Sequence, residues 1–511
     1  MASGALSLRT VVAVASAGAL IGGASAGSSA YGSGGSAGSG PAAVAVHRHQ
    51  GPAHRHHEST HPRHHESAHP HHGQGIGDPY YPDDGNRGYD VKRYHVRLRY
   101  FRPTQRIAAT TTIASRATTR LPRFNLDLLG MTITKVTVDG VPARHRRAAA
   151  HELVVRPARP VADGHRFVTK VTYHGKPGVD PVDAIRSGWY DSDATPGAGF
   201  VAGEPHSCTL WYPCNDHPTD KAKFSVTATV PRPLSVISNG RQLATTPQVR
   251  HGTPVRTFRW RLDEPTATYL TTIYIDRLTF ERSRLADGTR VVSAYGPDPG
   301  NAPSQEAKLP AILRVLARWW GPYPAPEAGG IFVSAKVPFS IETFTRPLYF
   351  EGADASTIAH ENAHQWWGDN ISVKRWRDVC LNECLASYSQ WLWQQHLGAD
   401  LDAQYRAGVA GRPSWLKAPL YDMGAGHEFD FQGVYLKGAF FVHALRNKIG
   451  DKAFFRAMRA IQRQRGGGNM SMLDLRDALE HKTGVDLTSF WNDWVLHARV
   501  PSHANLYPGN L

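Results

Sequence analysis

Cysteine is scarce: only Cys208, Cys214, Cys380 and Cys384 occur in a chain of 511 residues. That excludes a fold held together by disulfides, which belongs to small chains dense in cysteine. The even count allows two bridges, but spacing leaves their pairing open. Cys380 and Cys384 stand one helical turn apart, near the upper limit of bridgeable geometry, so a bond between them is not expected. Long apolar runs are equally rare. No stretch beyond the N-terminus approaches the ~20 residues a spanning helix needs, so no membrane span is expected. Acidic residues are outnumbered, 43 against 58 Lys and Arg, for a formal charge of +15. Such a balance can serve nucleic acid or an anionic surface. No nucleic-acid-binding motif accompanies it, and the cations are scattered along strand-like text, which reads as a solvated basic surface. Nucleic acid is therefore not an expected partner.

What is present is an ordinary globular composition, 41% hydrophobic and 20% charged, long enough for two or three domains with cores of their own. At the N-terminus, Arg9 precedes an apolar run from Val11 to Ile21 and a small-residue stretch, Ala24 to Ala26. This is the pattern of a secretory signal over residues 1–26; the bland alternative is an Ala/Gly tail. A secreted, extracellular protein is the expectation. Residues 27–76 cannot pack a core: Gly, Ser and Ala dominate at first, then eleven histidines fall between His47 and His72, with "RHHESTHP" at 55–62 repeated as "RHHESAHP" at 63–70. Two readings stand, a hydrophilic spacer or loose capture of divalent metal.

Ordered text begins near Gly77. Tyr94, Val96, Leu98 and Tyr100 alternate with Arg93, His95, Arg97 and Arg99, the period-two signature of a half-buried strand. Similar strand-and-turn text continues to about residue 290, which predicts an all-β, sandwich-like domain over 77–292. From 293 to 505 helical spacing takes over, with "GGIFVSAKV" as an intervening strand, and an α+β domain with helices dominant is expected. Little text remains after that for a third large domain.

Inside the second region lies "HENAH". On a helix His360 and His364 project from one face, and two neutral imidazoles can meet one Zn²⁺ with Glu361 beside them. A catalytic zinc needs a third protein ligand. Glu383 follows nineteen residues after His364, on a second helix expected to start near Trp376 or Asp378. Zinc lowers the pKa of its water and polarises a carbonyl. Glu361, facing that water, would take its proton and pass it to a leaving amine. Amide hydrolysis is the natural reaction.

The stretch "HENAHQWWGDNISVKRWRDVCLNECLASY" resembles the zinc segment of the aminopeptidase N family of gluzincins, a zinc metallopeptidase family. "WYPCNDHPTDKAKFSVTATVP", "VISNG", "PFSIETFTRPLYF" and "GVYLKGAFFVHALR" resemble further blocks of it, and the likeness runs from about Gly77 to Ser502. The resemblance implies a thermolysin-like catalytic domain with one zinc per chain on His360, His364 and Glu383. It implies Glu361 as general acid–base and Tyr435 as hydrogen-bond donor to the developing oxyanion. It also implies Glu204 and Glu342 as carboxylates for a substrate's free α-ammonium, so that peptides with a free N-terminus are the expected substrates. Departures from the family pattern are Phe339 for its glycine, Cys384 for the glycine after the third ligand, Leu436 for the acid after the tyrosine, and His217 for a glutamate. The form is short, without the family's C-terminal helical domain. Competing readings are a zinc endopeptidase or epoxide hydrolase on the same scaffold, or a metal-binding protein acting through its histidine tract.

Overall fold

The computed structural model describes residues 75–511 except positions 103, 149–150, 181–186 and 338. The expected export leader and the histidine tract lie outside the described residues. Among the described residues no helix is long and apolar enough to cross a membrane.

Alternation in the sequence becomes an eight-stranded sheet. Strand β1 (Tyr89–Phe101) turns Tyr94, Val96, Leu98 and Tyr100 inward, all nearly fully buried, and leaves its arginines on the other face. It pairs antiparallel with β2 (Arg106–Ala117), with a bulge between Val91 and Arg93. The strands β3 (Phe124–Asp127), β4 (Thr132–Val138), β5 (Val141–Pro142), β6 (Arg144–Ala148), β7 (Glu152–Arg156) and β8 (Arg166–Gly175) follow. Then come β9 (Gly188–Asp191), β10 (Gly199–Ala202), β11 (Ala222–Pro231), β12 (Ser235–Ser238), β13 (Arg241–Arg250), β14 (Thr253–Thr266) and β15 (Ile273–Asp276). The large sheet runs β13-β14-β11-β1-β2-β8-β4-β5 and is antiparallel except where β1 meets β11. A four-stranded sheet, β12-β15-β10-β9, and a three-stranded one, β3-β7-β6, complete the β-rich region. The large sheet buries one face along β1, β2 and β8, as the alternation predicts, whereas β10, β12, β15 and β3 are buried on both faces.

The helical region rests on a mixed sheet of β16 (Thr279–Arg284), β17 (Arg290–Tyr295), β18 (Glu327–Ala328), β19 (Ile331–Phe332) and β20 (Leu348–Tyr349). Its first hairpin spans residue 292, so this sheet starts ahead of the change in sequence pattern. The "GGIFVSAKV" text contributes only the two residues of β19. Over it lie α1 (Ala302–Glu306), α2 (Leu309–Trp320), α3 (Ala355–Ala363) and α4 (Cys380–His396), followed by α5 (Leu401–Val409) and α6 (Gly438–Ile449). From Thr357 onward α3 has no exposed residue. A helix buried all round shows no polar stripe, and its alanines let α2 and α4 approach.

The N-terminal segment binds the two regions together. Asp78, 1% exposed, accepts from the Trp376 amide at 2.9 Å and lies 3.3 Å from His217 Nε2. Tyr80 donates to Asp422 at 3.1 Å, and the Tyr81 hydroxyl donates to Glu428. The histidine contact accounts for one departure from the family pattern: His217, where an acid is usual, is the partner of Asp78.

Candidate active site

Two helices supply the donors. Asp354 caps α3, accepting from the Thr357 amide at 2.8 Å, and Asn362 ties the helix to β20 by donating to the Tyr349 hydroxyl at 2.8 Å. His360 and His364, one turn apart at the C-terminal end of α3, have ring centroids 4.9 Å apart. A 3-10 turn, Trp376–Asp378, leads into α4, and Glu383 in its first turn points back. Glu383 Oε2 lies 3.1 Å from His360 Nε2 and 3.6 Å from His364 Nε2. Donors about 2.0–2.1 Å from a tetrahedral ion sit about 3.3–3.4 Å from one another, so two nitrogens and one carboxylate oxygen with these edges fit one zinc-sized cation. His364 Nδ1 donates to the Trp367 carbonyl at 3.1 Å, and His360 Nδ1 faces Gln390 Oε1 at 3.4 Å. Each ring thereby presents Nε2 to the centre. Burial pushes the His364 imidazole down to about 4, the neutral state a metal requires. Burial raises the Glu383 carboxyl, but His364 and His360 more than offset it and leave it below the usual range.

Gly368 protects this arrangement. It sits at φ +126°, and a Cβ there would come within 3.2 Å of His364 Nδ1.

Cys380 and Cys384 are bonded to each other, as are Cys208 and Cys214, contrary to the expectation for the first pair. The Cα atoms of Cys380 and Cys384 are 4.8 Å apart because the helix entry is tight. The Val379 carbonyl accepts from both Asn382 and Glu383, mixing a 3-10 with an α turn. Gly438 makes room for the bridge: a Cβ there would lie 2.6 Å from Cys384 Sγ.

Glu361, 4% exposed, stands one residue from the first histidine, and its carboxylate lies within 4.8 Å of Glu342 and His364 donor atoms. Burial, then Glu342 and Glu383, hold its carboxyl well above the ordinary range. Tyr435 lies on a π-helical turn, Phe431–Lys437, that runs into α6. Such turns recur at functional sites. Its ring centroid is 6.0 Å from that of His360, so it faces the site instead of being a plain core aromatic.

The two remaining carboxylates arrive from distant segments. Glu204 follows β10, and the 3-10 turn Thr268–Leu270 precedes β15, the antiparallel partner of β10. Glu204 and Tyr269 therefore leave the same end of one strand pair. Glu342 is next to Ile341, which exchanges two backbone hydrogen bonds with Leu348. Tyr269 donates to Glu342 Oε1 at 3.2 Å. Burial raises both acids, Glu342 to about 8, and Glu342 is the charge that acts most on Glu204. Glu204 Oε1 is buried with no hydrogen-bond partner.

Sequence reasoning missed the groups that hold these acids. Asn239, in the "VISNG" block, donates to the carbonyls of Leu270 at 2.9 Å and Phe344 at 2.8 Å. Gln365, directly after His364, donates to the Glu342 carbonyl at 3.1 Å and to Asp369 Oδ2 at 2.6 Å. Lys221 donates to the carbonyls of Asp369 and Asn370, and burial lowers it to about 7. Their adjacency to the quoted motifs was the available signal. Phe339, where the family has glycine, packs edge-on to Tyr190 at 6.0 Å.

A β-rich region ahead of a helical one carrying two imidazoles, a ligand carboxylate and a neighbouring acid is the scaffold of a two-domain metallopeptidase. The chain belongs to peptidase family M1: residues 90–270 match the Peptidase M1 N-terminal domain, and residues 351–494 match the Peptidase family M1 domain. It is 24% identical to Aminopeptidase M1-B of Oryza sativa subsp. japonica over 348 residues, 60% of this chain and 38% of that one. It is 30% identical to Aminopeptidase N of Streptomyces lividans over 160 residues, 29% of this chain and 19% of that one. The chain thus spans well under half the length of these relatives. Its structure resembles that of an M1 zinc metallopeptidase from Deinococcus radiodurans, with a TM-score of 0.76 and 28% identity, covering 84% of this chain and 99% of the other. A form of that protein bound to a Tyr-Ser-Ala substrate aligns with a TM-score of 0.75 and 28% identity over 84% of this chain and 98% of the other.

Proposed function

We propose that this chain is a secreted, zinc-dependent aminopeptidase that releases N-terminal residues from peptides. His360, His364 and Glu383 hold the zinc. Bound there, zinc supplies Lewis acidity, lowering the pKa of a coordinated water and polarising the scissile carbonyl. Glu361 accepts the proton of the attacking water and returns it to the leaving amine. The Tyr435 hydroxyl donates to the substrate oxygen as negative charge develops there. Glu204 and Glu342 hold the α-ammonium. Export rests on the leader pattern of residues 1–26.

The observation that carries the reading is the buried, unpartnered Glu204 oxygen beside a second buried carboxylate. Such a pair calls for a cation, and a free N-terminus brings one; an internal amide would leave both acids desolvated and unpaired. The test is a panel of aminoacyl-arylamides, each free and N-acetylated, with Glu361→Gln as control. Turnover of the free forms, lost in the control at unchanged zinc content, is expected. Equal cleavage of the acetylated forms would make the enzyme an endopeptidase instead.

A further inference from the structure

Away from the helices, β3 and β7 bring a second set of donors to one edge of the small sheet. Asp127 ends β3 and Glu152 begins β7, and the two face each other directly across the antiparallel register. His151 immediately precedes Glu152. One oxygen from each acid and a ring nitrogen of His151 all lie within 4.8 Å of one another. Like charges directly opposite on paired strands destabilise a sheet, and neither acid has water to relieve it: Asp127 is fully buried and Glu152 is 7% exposed.

Hydrogen bonds account for Asp127 but only in part for Glu152, whose carboxylate takes one side-chain hydrogen bond, from Asn125. Asp127 accepts from the amides of Gly85 at 3.2 Å and Asp216 at 2.6 Å, and from Asn86 Nδ2 at 2.9 Å. Glu152 Oε2 is buried with no hydrogen-bond partner, a state that costs several kcal/mol when nothing compensates it. The N-terminal segment closes the other side. His151 Nε2 faces the Asp83 carbonyl at 3.2 Å and Asp84 Oδ1 at 3.6 Å. Three separate stretches of chain therefore bring carboxylates, a carbonyl and one imidazole to this edge, with His151 between the acid pair and the N-terminal segment.

We infer that Asp127, His151 and Glu152 form a second divalent-cation site, structural in role, that fastens the N-terminal segment at Asp83 and Asp84 to the β3–β7 edge. An oxygen-rich set with one imidazole suits ions of the manganese-to-zinc range. Without a cation, burial holds Asp127 at about 7 and Glu152 at about 8, so the pair would keep a proton in place of the ion.

The full chain, dialysed until one zinc per chain remains, is titrated with Mn²⁺, which stands low in the divalent affinity series, so that the histidine tract competes weakly. Free Mn²⁺ is read by electron paramagnetic resonance, zinc by elemental analysis, and melting by calorimetry. Expected is one Mn²⁺ bound beyond any weak background, zinc content unchanged, and a raised Tm. Glu152→Gln should weaken that binding at least tenfold and abolish the rise in Tm. His151→Gln, at a half-buried position, should do the same and serves if the first variant fails to fold. Equal Mn²⁺ binding in wild type and variants would overturn the site. So would a Tm indifferent to Mn²⁺ but falling as pH rises through 7 to 8, the mark of a shared proton.

Discussion

Glu204→Gln isolates amine recognition from chemistry. The substitution keeps the side chain's shape and one acceptor oxygen while removing its charge, in a site where Glu204 is 4% exposed. Breaking a buried ion pair by removing one partner costs about 3–5 kcal/mol. Glutamine still accepts one hydrogen bond, worth about 1 kcal/mol, and Glu342 remains. The net loss for a free-amine substrate is about 2–3 kcal/mol, or roughly 30- to 150-fold in kcat/KM. An N-acetylated substrate has no ammonium to lose, so its already poor kcat/KM should stay within about threefold. The ratio of free to blocked rates, measured near pH 7.5 with zinc content monitored, should collapse accordingly. The substrate-free enzyme should gain stability, because the variant no longer buries a carboxylate crowded by Glu342, Glu383 and Glu361. An equal fall for both substrates would place Glu204 in general structural support; no fall would remove it from the site.

Gly368→Ala should lower zinc affinity about 10- to 100-fold, since its Cβ would push on His364 Nδ1 and disturb the bond to the Trp367 carbonyl; zinc content after dialysis against a graded chelator reads this. Glu306 supplies a pH test remote from the metal. Buried, it accepts from Ser293 at 2.6 Å, and burial pushes its carboxyl up to about 8. A raised folded pKa means the unfolded chain holds fewer protons between the ordinary value near 4.5 and 8, so stability falls as pH rises through that window. Glu306→Gln should flatten this slope, matching wild type near pH 5 and exceeding its stability at pH 8.5 by up to several kcal/mol, at about 1.4 per pKa unit, which a higher Tm reads. Parallel Tm profiles for the two proteins would refute the assignment.

The parts legible in the sequence are those whose partners lie close along the chain. The alternation of Tyr94 to Tyr100 is a local rule, and β1 follows it residue by residue. His360 and His364 share a helix face by spacing alone, and Glu383 needs only one loop to return. Tyr435 was different: periodicity gives a core aromatic, and only the family likeness moved it to the site. The Cys380–Cys384 bond is not legible because a regular helix sets the two Cα atoms near the upper limit of bridgeable separation, and a tightened first turn cannot be read from residue identities.

Glu204 and Glu342 show why the amine end was beyond residue-level reading while the metal end was not. Their separation depends on β10 pairing with β15, on Asn239 joining Leu270 to Phe344, and on Ile341 bridging Leu348, contacts between segments up to 105 residues apart. The helices fix where a peptide bond would be cut, and the sheet of the β-rich region fixes where the peptide's N-terminus would be held. The distance between the two is set by the packing of one region on the other. On the proposed function, exopeptidase specificity would then be a property of that junction. A substitution at Asn239, remote from every metal ligand, would act on substrate choice before it acted on chemistry.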